Sequence, residues 1–233
     1  GGIYMSVDNA NSFTDKTATA QIGQFYRISV SKQTASKMVG GLQDNGGYAY
    51  SNGQWKNYYG ADGMDTAVHP TNSNLFYGFI QSGGNLYISN DGGNTLSSSV
   101  GAPGGENGNW ITPLAMNSAG ELFSGYTNLY KLNGANWQQQ NSTSFNGSSL
   151  ETIAIDPNND NNMYVADGSD LYKSTDKGLT CSPIYFAPSD ITSIDVHSSN
   201  SDIIYLTTSG IDGEALMSTD GGNSFNSISD GLP

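Results

Sequence analysis

Three aspartates, Asp44, Asp62 and Asp65, fall close together in the stretch GGLQDNGG…YYGADGMD. Two carboxylates held about 5–5.5 Å or about 6.5–9.5 Å apart can act as acid and nucleophile, or acid and base, across a glycosidic bond. Asp62 and Asp65 are the candidates for such a pair, with Asp44 third. Together with Gln43 and Asn45, the same carboxylates would also make an oxygen-rich pocket suited to calcium, or acceptors for sugar hydroxyls. The plainer reading, preferred on the sequence, is that Asp44 and Asn45 bond their own backbone in a bulge or turn. On that reading no residue is assigned as catalytic and no cofactor is called for. Gln43, Asp44, Asn45, Asp62 and Trp110 are binding candidates, with Trp110 standing after the loop GAPGGENGN.

Other chemistries lack their residues. A phosphate loop needs lysine and Ser or Thr after its glycines and a helix beyond, whereas GGLQDNGG runs into YAYSNGQW, a strand and hairpin pattern. The lone cysteine, Cys181, rules out an intrachain disulfide or a cysteine metal cluster, and no histidine lies near it in sequence to activate it. His69, Asp156 and His197 precede turn-forming runs at matching places, which suits turn capping. Glu106, Glu121 and Glu151 sit in no motif. Eight Lys and Arg against 21 Asp and Glu leave a net charge of -13, which repels phosphate backbones, so no nucleic-acid partner is expected. No apolar run reaches membrane-spanning length, so no membrane insertion is expected. Tyr58, Tyr59 and Tyr126 join Trp110 as loop aromatics that could contact a sugar or a protein.

The elements that must hold these residues are repeated. The turns SVDNANSF, SNGQW, SNDGGNTL, LNGANW, STDKGLTC and STDGGNSF begin at residues 6, 51, 89, 132, 174 and 218. A period of roughly 40–45 residues is that of a propeller blade. Alternating segments such as NLYIS, DLYKS and EALMS precede the turns, and pairs such as DTAVH and LFYGFI lie upstream. Each unit therefore reads as a four-stranded meander that buries its faces only against its neighbours. The expected fold is all-β, a propeller of four-stranded antiparallel blades. Five blades are full (24–60, 64–99, 110–145, 149–187 and 190–228), and residues 1–20 supply the C-terminal half of another. The opening GGIYMSVD reads as the middle of something, so a single domain or a fragment of a larger ring is expected.

The turns resemble the Asp-box, or BNR repeat, S-x-D-x-G-x-T-W. The matching residues are Ser89, Asp91, Gly93 and Thr95; Ser174, Asp176, Gly178 and Thr180; and Ser218, Asp220, Gly222 and Ser224. Their aspartates can accept turn N–H groups, a scaffolding role. The combination QFYRISV…MVGGLQDNGG…YYGADGMDTAVHP resembles secreted bacterial propellers of the sortilin-like group, some of them attached to larger exported proteins. That resemblance implies a secreted or cell-surface bacterial protein, loops gathered at one end of a ring, and as partners a protein, a glycan or the remaining domains of a larger chain. Sialidases share the Asp-box but grip a sugar carboxylate with three arginines, and this chain has only Arg27. Xyloglucan-cleaving propellers share it too, and they use two propellers facing one cleft. The expectation is thus a non-enzymatic binding module. The alternative is a glycoside hydrolase-like propeller acting on plant-type glucans with paired aspartates.

Overall fold

Strands joined by turns too short to cross a sheet pair with the strand before them. The computed structural model, which describes residues 3–16, 23–142 and 144–231, follows this rule throughout. Blade 1 is β3 (Phe25–Val30), β4 (Met38–Leu42), β5 (Gly46–Ser51) and β6 (Gln54–Tyr59). Blade 2 is β7 (Gly63–Val68), β8 (Phe76–Ile80), β9 (Asn85–Ser89) and β10 (Ser98–Gly101). Blade 3 is β11 (Leu114–Met116), β12 (Leu122–Gly125), β13 (Leu129–Asn133) and β14 (Asn136–Gln139). Blade 4 is β15 (Thr152–Ile155), β16 (Met163–Asp167), β17 (Asp170–Ser174) and β18 (Ser182–Phe186). Blade 5 is β19 (Ile191–Val196), β20 (Ile204–Thr208), β21 (Ala215–Ser218) and β22 (Asn226–Ser227). A two-stranded hairpin, β1 (Tyr4–Met5) with β2 (Thr14–Asp15), precedes them. The fold is an all-β propeller of five antiparallel blades and one N-terminal half-blade. Residues 1–2, 17–20 and 143 of the expected units lie outside the described residues.

The core is not central. It forms four layers, one between each pair of successive blades: Val39, Ala49 and Phe76 between blades 1 and 2; Phe79, Leu86 and Tyr126 between 2 and 3; Phe123, Leu129 and Met163 between 3 and 4; Tyr164, Ile194 and Leu206 between 4 and 5. Each such side chain contributes roughly 1.5–3 kcal/mol by burial. Blade faces therefore stabilise one another, as the two-residue period requires.

GGLQDNGG divides between two strands. It leaves β4 at Leu42, turns through Gln43–Asn45 and enters β5 at Gly46. Gly46 and Gly47 meet Tyr59. A Cβ on Gly47 would stand 1.8 Å from the Tyr59 ring, and one on Gly78 would stand 2.3 Å from its hydroxyl. The ring passes through this slot from blade 1 to blade 2, stacks on Tyr87 at 4.9 Å and donates to the Phe79 carbonyl at 3.1 Å.

Four hairpin turns share one hydrogen-bond pattern. Ser89 Oγ donates to Asp91 Oδ1 (2.8 Å) and accepts the Gly93 N–H (2.9 Å). The Thr95 N–H and hydroxyl donate to the two carboxylate oxygens at 2.9 and 2.7 Å. Asp8, Asp176 and Asp220 hold their turns alike. These bonds, the hydroxyl four residues on foremost, pull Asp8, Asp91 and Asp220 down to about 2. Their contribution is present above the ordinary carboxylate range and disappears only as pH falls toward 2. Asp91→Ala should lower stability by roughly 1–2 kcal/mol, read as a lower denaturant midpoint at unchanged slope. The exposed Asp212→Ala should stay within about 0.5 kcal/mol of the parent; equal effects from the two would remove the turn as a stabilising unit.

In three of the four turns a glycine wedges against the preceding blade, Gly93 on Ala49, Gly178 on Leu129 and Gly222 on Ile184, whereas the Asp8 turn has Ala10 there. Blade 3 has instead the short turn Gly134–Ala135 between β13 and β14. Where its wedge would sit, a cavity of about 370 Å³ opens between blades 2 and 3, lined by Leu75, Tyr77, Ile88, Leu122 and Leu132.

Candidate functional site

Antiparallel strands send their connections alternately to the two ends of a blade. The Ser–Asp–Gly turns and the turns between first and second strands open at the lower end. The connections between second and third strands, and those from one blade to the next, open at the upper end. At the lower end one position in every blade accepts the N–H two residues on: Ser31, His69, Asn117, Asp156 and His197. The two histidines and Asp156 were legible there, whereas Ser31 and Asn117 share no side-chain type with them.

The upper end gathers the binding candidates. Asp44 lies in the β4–β5 turn at φ 59, and its N–H donates to Asp62 Oδ1 at 2.6 Å. Asn45 Nδ2 donates to the Gln43 carbonyl at 2.8 Å, a local bond of the turn-capping kind. The Asp62 N–H donates to Gln81 Oε1 (3.2 Å), and the Gln81 N–H returns to the Asp62 carbonyl (3.1 Å). Next along, the Ser82 N–H donates to the Trp110 carbonyl at 3.1 Å. Asp44, Asp62 and Trp110 thus border one mouth, linked through the tight turn Gln81–Gly83. Trp110 precedes β11, is 49% exposed, and donates from Nε1 to the Tyr26 hydroxyl at 3.4 Å.

Asp65 lies deeper, on the inner strand β7. Oδ1 accepts the Thr66 N–H at 2.8 Å, and Oδ2 accepts the Leu114 N–H of blade 3 at 3.0 Å. Burial pushes its carboxyl up to about 6, against the opposing pull of those two N–H groups and of Arg27. A carboxyl of that strength holds a proton in mildly acidic solution and releases it near neutrality. Because Asp65 turns toward Leu114 while Asp62 turns toward Asp44, the three aspartates do not converge as a calcium pocket. Among the described residues no group of three or more His, Cys, Asp or Glu is placed to hold a metal ion.

Glu151, which no motif marks, also reaches this end. It accepts from Asn109 Nδ2, next to Trp110, and burial, then Asp190 and Asp167, raise its pKa. Only the fold reveals it, because its influences come from other strands and connections. Glu106 accepts from the Thr127 N–H and hydroxyl and from the Tyr130 hydroxyl, an anchoring role.

Three aromatic expectations need correction. Tyr58, Tyr59 and Tyr126 are buried rather than offered to a ligand. Tyr59 fills the glycine slot, and the Tyr126 hydroxyl donates to the Gly83 carbonyl at 2.7 Å. Cys181 is buried, and burial pushes its thiol up to about 12, so it carries no thiolate at neutral pH.

No family model matches the chain, and no curated protein matches it. It is similar to solved structures of an ancestral GH74 enzyme (18% identity, TM-score 0.72, covering 91% of this chain and 32% of that one). It is also similar to the GH74 xyloglucanase from Xanthomonas campestris (17% identity, TM-score 0.70, 89% and 38%). A third is YCF48 from Cyanidioschyzon merolae (11% identity, TM-score 0.63, 97% and 78%). The chain spans about a third of the length of the two GH74 enzymes. At these identities the likeness shows a multi-bladed β-propeller, and nothing in it singles out the sortilin-like group. The expectation of a non-enzymatic module is nevertheless overturned. Two propellers that match about nine-tenths of the chain are GH74 enzymes, and the chain holds a half-buried carboxyl, Asp65, that burial raises to about 6. Among the described residues no helix is long and apolar enough to cross a membrane.

Proposed function

We propose that the chain forms one propeller of a glycoside hydrolase acting on plant-type β-glucans, xyloglucan among them. Asp65 is the general acid, Asp62 is the paired carboxylate, and Trp110 is the sugar-stacking platform at the mouth. The observation that carries this reading is Asp65: an inner-strand carboxyl raised to about 6 beneath a mouth bordered by a second aspartate and an exposed tryptophan. A protonated carboxylic acid donates to the glycosidic oxygen as the bond breaks, and an ionised partner activates water or attacks the sugar carbon. Aromatic faces hold sugar rings, and the likeness to a xyloglucanase supports the substrate class.

We further infer that the turns are Asp-boxes of the bacterial secreted, sortilin-like type, that residues 1–233 act as a single propeller unit, and that the protein works outside the cell. The turn bonds around Asp8, Asp91, Asp176 and Asp220 support the first of these.

The test is reducing-end release from xyloglucan, mixed-linkage glucan and pectin, alongside calorimetric binding of xyloglucan oligosaccharides. Hydrolysis of a glucan, lost in Asp62→Asn with oligosaccharide binding kept, is the expected result. Neither hydrolysis nor binding with any of the three polymers would sink the assignment.

A further inference from the structure

Blades 4 and 5 show how a blade interface is closed at its lower end. Residues 219–225 join β21 to β22. Gly222 of this turn stands over Tyr164 of β16, with a Cβ there 3.8 Å from the ring, and Phe225 packs on Tyr185 of β18 at 4.6 Å. Tyr164 is fully buried as a result. Tyr77 holds the same place in β8, second in its strand, and faces blade 3. Only Gly134 and Ala135 join β13 to β14, and nothing lies within 4 Å of a Cβ on Gly134. Blade 3 therefore has no turn to set over Tyr77, and the gap between blades 2 and 3 is the space such a turn would fill.

The walls of that gap are hydrocarbon, from Leu75 and Ile88 on one side and Leu122 and Leu132 on the other. Asn90 and Ser98 stand exposed at its rim. Tyr77 is only 8% exposed, so its ring belongs to the interior. Among the described residues its hydroxyl has no hydrogen-bond partner, and burial alone raises its pKa. Unlike the Tyr164 hydroxyl, it is not sealed from outside. A phenol donor stripped of most of its water gains from an acceptor brought to it. About 150 Å³ of apolar cavity holds one benzene ring. The gap, at about 370 Å³, has room for two. No Lys, Arg, Asp or Glu lines it, and a charge among such walls would lose its hydration without gaining a partner.

We propose that the gap between blades 2 and 3 is a binding site for a small uncharged two-ring molecule carrying one acceptor oxygen. One ring lies over Tyr77, in the place that the Gly222–Phe225 segment takes over blade 4, and the oxygen accepts the Tyr77 hydroxyl. The volume falls within that of small-molecule sites, and the lining has their usual make-up of apolar walls with one placed polar group. The site lies at the lower end, away from Asp62 and Asp65, and stands whether or not the chain hydrolyses a glucan.

Benzophenone, a two-ring ketone, tests this on the full chain. Ligand-observed NMR should show saturable binding with Kd on the order of 100 micromolar. Irradiation, which inserts the excited carbonyl into a neighbouring C–H bond, should place the covalent label on β8, β9, β12 or β13, read by peptide mass spectrometry. Tyr77→Phe removes only the hydroxyl. It should weaken benzophenone by about threefold to tenfold and leave diphenylmethane, the same shape without the oxygen, unchanged. Leu132→Trp fills the gap and should abolish binding of both, with circular dichroism and melting showing that it is folded. If that variant does not fold, the label position and Tyr77→Phe still decide. No saturable binding to the parent overturns the proposal, as does a label outside those four strands. So does Tyr77→Phe that changes both ligands alike or neither, or a folded Leu132→Trp that binds as the parent does.

Discussion

Asp65→Asn should reduce glucan hydrolysis by about 10²–10⁴-fold, the usual worth of a positioned acid, while making the protein more stable at neutral pH. The two effects share one cause. A buried carboxyl raised from its ordinary value to about 6 costs about 3 kcal/mol once it is ionised. The sign follows from linkage. A carboxyl whose folded pKa is raised contributes its full stability below the ordinary carboxylate range, and that contribution is lost as pH rises toward and through about 6. Asparagine carries no charge, so the variant escapes the loss. It has one carbonyl oxygen for the two N–H groups of Thr66 and Leu114, which costs about 1 kcal/mol. The net gain at pH 7 is on the order of 1–2 kcal/mol, and at pH 4 it vanishes. Activity of the parent should fall on the alkaline side with an apparent pKa near 6, because the acid must hold its proton to donate it. Melting temperature and initial rate, both followed from pH 4 to 8, check the pair. If Asp65 merely ties blade 2 to blade 3, the variant loses stability at every pH and its rate keeps the parent's pH profile.

Gly47→Val is expected to cost about 3 kcal/mol, the upper end of what overpacking costs, a large share of the stability of a marginally stable propeller. A Cβ there stands 1.8 Å from the Tyr59 ring, with further branches beyond it. The ring cannot step aside, because Gly78 closes the other side of the slot and Tyr87 lies stacked against it. Gly60→Ala is the control, since nothing lies within 4 Å of its added Cβ. Tyr59→Leu should partly rescue Gly47→Ala in urea unfolding, as the smaller side chain frees the slot. Additive losses in the double variant would mean that the slot is not what Gly47 serves.

The blades were legible because their turn chemistry is local. The side chains of Ser89, Asp91 and Thr95 and the N–H of Gly93 bond to one another, so four spaced letters carry the turn. The site was less legible because its properties are set across blades. Asp44, Asp62 and Asp65 look alike in sequence, yet only Asp65 sits on an inner strand where surrounding protein strips its hydration. Tyr58, Tyr59 and Tyr126 read as loop residues, but the glycines that admit Tyr59 lie at Gly47 in one blade and Gly78 in the next. Glu151 owes its raised pKa to burial and to Asp190 and Asp167, which belong to other strands and connections. Periodicity reports which face a residue takes, and not what the facing blade brings to it.

The short turn of blade 3 distributes slack unevenly through the molecule. Below, blades 2 and 3 part around an open gap beside the one place where Gly120 packs against the His69 ring. Above, the same two blades are bolted by Asp65 to Leu114, Gly83 to Tyr126 and Ser82 to Trp110. Any loosening between the two blades is therefore expected first at the gap, remote from the carboxylates, and not at the bonded mouth.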